Sequence, residues 1–201
     1  MNIPIETCDT VIFDLGNVLV RYDWKNCLQK FGYAPDVYDA VAKAVFLSPT
    51  WQEGDRGTYG KEDWCDAFVK NAPKYEKEIR EVYRHLGETI LSTDYTDALI
   101  RYFKEKGYAL YYLSNYSEEV FEQSKDTLKF LNEFDGGVFS WQAKQMKPDP
   151  SIYQTLLRKY KLAPERSLFF DDLQANVDAA CREGIHGIVF TPSVALEILR
   201  K

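Results

Sequence analysis

Thr10-Val11-Ile12-Phe13-Asp14-Leu15-Gly16-Asn17-Val18-Leu19 is the stretch on which the reading of this chain turns. Thr10 and the three apolar residues that follow it fit a strand covered on both faces. A carboxylate at its carboxyl tip, running into a glycine-containing turn, marks where an open α/β sheet places its chemistry. Three later segments have the same form. Tyr111-Tyr112-Leu113 ends in Ser114-Asn115, Lys147-Pro148-Asp149-Pro150 opens a helix, and Leu168-Phe169-Phe170 ends in Asp171-Asp172. The four loops together carry an oxygen nucleophile, a hydroxyl, a cation and an acidic pair.

Outward from this stretch, strands are expected at Thr10 to Phe13, Tyr108 to Leu113, Gly137 to Phe139, Ser167 to Phe170 and Gly187 to Phe190. Their apolarity is continuous rather than alternating. Helical patterns separate them. Asp94 to Lys106 puts Ala98, Leu99, Tyr102 and Phe103 on one face, follows the cap candidates Ser92-Thr93-Asp94, and stops at Gly107. Ser117 is a good N-cap before Glu118 and Glu119. Ser151 to Tyr160, Gln174 to Arg182 and Pro192 to Arg200 complete the alternation, which implies a parallel sheet with right-handed crossovers. One interval breaks the rhythm, because Tyr22 to Leu91 shows helical runs and no strand run, far beyond an ordinary connection. Val37, Val41 and Val45, then Trp64 with Phe68, then Tyr75, Ile79, Val82, Tyr83 and Leu86 mark amphipathic helices. The expected organisation is a core of residues 1–21 and 92–201 with a helical cap of residues 22–91 that leaves the sheet at the edge where Asp14 sits, placed to exclude water.

Bulk properties narrow the function classes. At 201 residues the chain can bury one good core and still carry an insertion. Its 25 basic and 31 acidic residues sum to −6, with no Lys/Arg stripe to track a phosphate backbone, so nucleic acid is excluded as a partner. No apolar run reaches the roughly 18 residues of a membrane span, and Met1 to Thr10 lacks the features of a signal peptide. A soluble, cytoplasmic protein is expected. Cys8, Cys27, Cys65 and Cys181 form no C-x-x-C pair, which suggests neither a zinc site nor a disulfide framework. His85 and His186 have no His or Cys partner at ligand spacing and read as surface residues. Nothing in the sequence implies a particular oligomeric state.

The four motifs, in this order and across nearly the whole chain, resemble those of the haloacid dehalogenase superfamily of aspartate-nucleophile hydrolases. The resemblance implies a Rossmann-like α/β core of strand order 5-4-1-2-3 with a helical cap inserted after the first motif, so that Asp14 and Asp171-Asp172 meet in the switch-point crevice. Three carboxylates in one crevice repel one another unless a cation sits among them, and Mg²⁺ suits oxygen ligands. The resemblance further implies that Asp14 and Asp172 ligate Mg²⁺ through side chains and Gly16 through its carbonyl, with Asp171 contributing directly or through water. Asp14 would attack phosphorus to give an aspartyl-phosphate that water hydrolyses. Ser114 and the backbone N–H of Asn115 would hold the phosphoryl oxygens, with Lys147 adding charge. The implied activity is a Mg²⁺-dependent phosphatase acting on a small phosphorylated metabolite.

Gly16 departs from the family's pattern. Most phosphatases of the superfamily carry a second aspartate there, which protonates the leaving oxygen and then activates water, a contribution of about 10²–10⁴ in rate. The spelling Asp-Leu-Gly-Asn-Val, with Phe-Phe-Asp-Asp and a following Asn, is similar to a bacterial branch that includes an α-D-glucose-1-phosphate phosphatase. An anomeric oxygen leaves more easily than an ordinary alkoxide, which suits a site without that acid and points to a sugar phosphate. The alternative is a non-catalytic member that binds a phosphorylated ligand or a protein. Asn176 reads either as a residue orienting Lys147 or as a cap of the helix after Asp172. Trp51, Glu53 and Arg56, in the cap loop Trp-Gln-Glu-Gly-Asp-Arg-Gly, are candidates for reading the substrate's leaving group, with packing and solvation as the competing reading.

Overall fold

The strand at the opening motif is β1 (Thr10–Phe13), followed along the chain by β2 (Val20–Tyr22), β3 (Ile90–Ser92), β4 (Ala109–Ser114), β5 (Gly136–Phe139), β6 (Ser167–Asp171) and β7 (His186–Val189). The structure is a computed structural model that describes residues 7–200, so the first six residues of the expected core segment lie outside it. Five strands make one parallel sheet in the order β5-β4-β1-β6-β7. Counted along this sheet from the other edge, that is the expected 5-4-1-2-3. β1 lies in the middle because its four residues are buried on both faces. Val11 and Phe13 pack with Leu99, Phe103, Ala195 and Ile198 on one side, while Ile12 packs with Tyr153, Leu156 and Ala180 on the other.

Five α-helices lie between β2 and β3: α1 (Trp24–Gln29), α2 (Pro35–Ala44), α3 (Pro49–Asp55), α4 (Lys61–Asn71) and α5 (Glu76–Tyr83). Six more follow β3: α6 (Thr96–Glu105), α7 (Glu118–Ser124), α8 (Ser140–Ala143), α9 (Pro150–Tyr160), α10 (Gln174–Arg182) and α11 (Pro192–Leu199). The side chain of Ser117 caps α7 as expected, accepting from the Val120 N–H at 3.3 Å. The segment Ser92-Thr93-Asp94 does not cap α6, which begins at Thr96. The Thr96 hydroxyl instead donates to the Leu19 carbonyl at 2.5 Å, tying this helix to the turn after Asp14.

The interval from Tyr22 to Leu91 is not free of strand, contrary to expectation. β2 and β3 pair antiparallel, Val20 opposite Ser92 and Tyr22 opposite Ile90, so both expected seams fall inside one two-stranded ribbon. Three-residue strands carry no periodicity of their own, and each has its partner about 70 positions away. The stretch Trp51 to Arg56 is likewise no loop, since most of it forms α3. Its one buried residue, Gly54, lies against the Trp64 indole so closely that a Cβ would come within 2.1 Å of the ring. Gly54→Ala should therefore separate α3 from α4 and destabilise the protein by about 1–3 kcal/mol. An unchanged midpoint in denaturant would show that the indole yields without strain.

Candidate active site

Parallel register assembles the site. Phe13 is opposite Tyr112 on one side and Phe170 on the other, so the next residues, Asp14 and Asp171, come level on adjacent strands. The Asp14 N–H closes the ladder on the Phe170 carbonyl at 2.8 Å. Three donors converge on Asp14 Oδ1: the Leu15 N–H at 2.7 Å, the Ser114 hydroxyl at 2.7 Å and Lys147 Nζ at 2.9 Å. None of the three falls on Oδ2. Lys147, buried, also lies 2.6 Å from Asp171 Oδ2, so one ammonium bridges two buried carboxylates.

The neighbours fix these groups. Asn176 Nδ2 donates to both oxygens of Asp171, at 2.9 and 3.1 Å, and the Leu173 N–H adds a bond to Oδ1 at 2.9 Å. The Asn176 side chain therefore reaches Lys147 through Asp171 rather than directly, and locks the carboxylate that holds the ammonium. Asn115 makes a reciprocal pair with the Lys147 backbone, its Oδ1 accepting the N–H and its Nδ2 donating to the carbonyl, both at 2.9 Å. Asn17, in the left-handed region at φ 55°, where asparagine is tolerated, accepts the Tyr22 N–H and donates to Asp172 Oδ2 at 3.1 Å. Asn17 stands within the first sequence motif, but nothing in that motif assigns it this task.

One oxygen each of Asp14, Asp171 and Asp172 lies within 4.8 Å of the others. Burial pushes the Asp14 carboxyl up to about 6, because loss of water and the Asp171 charge outweigh Lys147 and Ser114. Burial also raises Asp172, while the two carboxylates beside Lys147 more than offset its own desolvation and raise its pKa. An acidic cluster with one resident cation is short of positive charge. Its oxygen donors suit a hard divalent ion. Asp171 has its oxygens occupied by Lys147, Asn176 and Leu173, which leaves Asp14 Oδ2 and Asp172 as the open ligands.

A cavity of about 680 Å³ opens over these groups, lined by Asp14, Gly16, Asn115, Lys147 and Asp172 from below and by Tyr22, Trp51, Gln52, Asp55 and Arg56 at its other side. Trp51 is part of an aromatic cluster, 5.8 Å from Tyr22 and 5.5 Å from Trp64 between ring centres. Glu53 is not brought to the cavity; it accepts from the Thr58 hydroxyl at 2.8 Å and pairs with Arg56 at 3.9 Å. Asp55 lines the cavity and was missed. Read as a helix, the same stretch carries the signal, because Trp51 and Asp55 are four residues apart and share a face that Glu53 does not.

Residues 8–182 match the family described as haloacid dehalogenase-like hydrolase. A sesquiterpene phosphatase of Aspergillus oryzae is 25% identical over 94% of this chain and 93% of its own. A phosphorylated carbohydrates phosphatase of Thermotoga maritima is 42% identical over 27% of this chain and 26% of its own. Among solved structures, a haloacid dehalogenase family enzyme of Bacteroides thetaiotaomicron, in complex with magnesium and inorganic phosphate, shares the fold with a TM-score of 0.74. It is 21% identical and covers 92% of this chain and 94% of that one. Among the described residues no helix is long and apolar enough to cross a membrane.

Proposed function

The chain belongs to the haloacid dehalogenase-like hydrolase family, and from that premise we propose that it is a Mg²⁺-dependent phosphatase of a small phosphorylated metabolite, acting through an aspartyl-phosphate on Asp14. The observation that carries this reading is the meeting of Asp14, Lys147, Asp171 and Asp172 at the floor of one cavity. Two relatives named as phosphatases support it. A protein that only bound ligand would gain nothing from crowding three carboxylates together.

The metal would be held by the side chains of Asp14 and Asp172 and by the Gly16 carbonyl, with Asp171 acting through Lys147 or a bound water. When bound, it would neutralise the acidic cluster and the substrate's phosphate. The chain's own groups do the rest. The Ser114 hydroxyl and the Asn115 N–H would turn to the phosphoryl oxygens, and Lys147 would hold Asp14 in line while offsetting charge on the transferring group. The proposed division keeps residues 1–21 and 92–201 as core and 22–91 as cap. Four free cysteines among the described residues suit the cytoplasm as its setting.

The substrate we favour is a sugar phosphate. Trp51 and Tyr22 offer flat apolar surface, with Gln52, Asn17 and Arg56 as polar partners around the same cavity. A panel of sugar 1-phosphates, plain alkyl phosphates and isoprenyl phosphates, assayed with Mg²⁺ and then with a chelator, tests both parts. We expect Mg²⁺-dependent turnover with the sugar 1-phosphates fastest. Preference for the plain alkyl or isoprenyl esters would remove the sugar assignment. Glycine at position 16 is the observation that favours the second reading, a non-catalytic binder, and an absence of turnover on every ester would establish it.

A further inference from the structure

Position 16 bears no acid, and an added Cβ there would meet nothing within 4 Å, so the space beside the nucleophile where a proton donor would stand is open. Across the cavity stands Asp55, the last residue of α3. The end of this helix is fastened to the core: the Asp55 carbonyl accepts from the buried Ser140 hydroxyl at 2.5 Å, and the Gly57 carbonyl accepts from Lys144. Ser140 Oγ in turn accepts the Tyr116 N–H at 2.9 Å, which ties Asp55 to the loop that follows Ser114. Among the described residues the Asp55 carboxyl has neither a hydrogen-bond partner nor a counter-ion.

We propose that Asp55 is the general acid and base that position 16 lacks. The proposal rests on the phosphatase reading above. In the first step Asp14 forms a bond to phosphorus as the bond from phosphorus to the leaving oxygen breaks, and that oxygen takes the proton of the Asp55 carboxyl to depart as an alcohol. In the second, the Asp55 carboxylate takes a proton from water as the water oxygen attacks phosphorus. The acyl-phosphate bond breaks, and Asp14, inorganic phosphate and protonated Asp55 are restored. Loss of water around this half-buried carboxyl, with the Asp14 charge added, pushes Asp55 up to about 8, which keeps it protonated near neutrality. The other titratable groups coupled to it are phenols, Tyr22 and Tyr116, themselves raised by burial and so uncharged.

Leaving groups separate this role from a structural one. The assay compares the best sugar or alkyl ester of the panel with 2,4-dinitrophenyl phosphate, whose phenolate departs without a proton. Asp55→Asn should lower kcat/KM on the first by about 10²–10⁴-fold and on the second by less than about tenfold, the second rate also reporting that the variant is folded. Gly16→Asp added to that variant should recover part of the loss on the first ester alone. Equal effects of Asp55→Asn on both esters, with no recovery in the double variant, would overturn the assignment while leaving the phosphatase reading intact. A wild-type protein that cleaves neither ester would remove both.

Discussion

Asp14→Asn should abolish turnover, lowering kcat by roughly 10⁴–10⁶-fold, and should at the same time make the metal-free protein more stable. The first effect follows from the loss of the attacking oxygen. The second follows from linkage. A carboxyl near 3.8 in the unfolded chain and about 6 in the fold disfavours the native state by an amount absent below the lower value, growing between the two and complete above the higher. At neutral pH a displacement of that size corresponds to about 3 kcal/mol. Asparagine keeps an Oδ1 to accept from Leu15, Ser114 and Lys147 and carries no charge, so a gain of about 1–3 kcal/mol is expected, or roughly 2–12 °C in melting temperature. Thermal melts in chelator at pH 7.5, run beside the activity assay, check both. A few per cent of wild-type turnover in the variant rules out Asp14 as nucleophile, and a lower melting temperature means the carboxylate stabilises the fold after all.

Lys147→Met should have the opposite consequence for stability. Methionine matches the buried stem in length but leaves Asp14 and Asp171, both in contact with Nζ, without their cation. Breaking a buried pair in this way costs about 3–5 kcal/mol, or roughly 6–20 °C in melting temperature. Turnover should fall by about 10²–10³-fold, as for removal of one preorganised group that faces developing charge. Added Mg²⁺ should raise the melting temperature of this variant more than that of the wild type, because the ion supplies positive charge where the ammonium is gone. If the variant melts with the wild type, the ammonium's desolvation balances its attraction and the bridge holds nothing together.

The sheet and the meeting of Asp14, Lys147, Asp171 and Asp172 at its edge were legible because each depends on local pattern. Val11 to Phe13 and Leu168 to Phe170 are unbroken apolar runs, and the polar residues that follow them come level through parallel register. What stayed hidden depends on contacts distant in sequence. Val20-Arg21-Tyr22 and Ile90-Leu91-Ser92 are strands only because they find each other. Asp55 was passed over because Gly54 gives its stretch the look of a loop, whereas that glycine is there to admit the Trp64 indole. Asn176 acts on Lys147 through Asp171, which it binds at two oxygens, a link that shows only once the strand end and the helix start are folded against each other. The triad of Asn17, Asp172 and Tyr22 was equally unreadable, since only the left-handed turn at Asn17 brings the three together.

The ribbon of β2 and β3 has a mechanical consequence. Both passages of the chain between the sheet and the five-helix segment are bonded to each other, so the segment is joined to the sheet by one two-ply strap rather than by two independent cords. Away from the strap the segment is held at Ser140 and Lys144, and through α7, where Gln123 donates to the Tyr83 carbonyl at 3.0 Å and Glu119 pairs with Lys61 at 3.2 Å, so the strap sets where the segment leaves the sheet and these bonds set how it lies over the cavity.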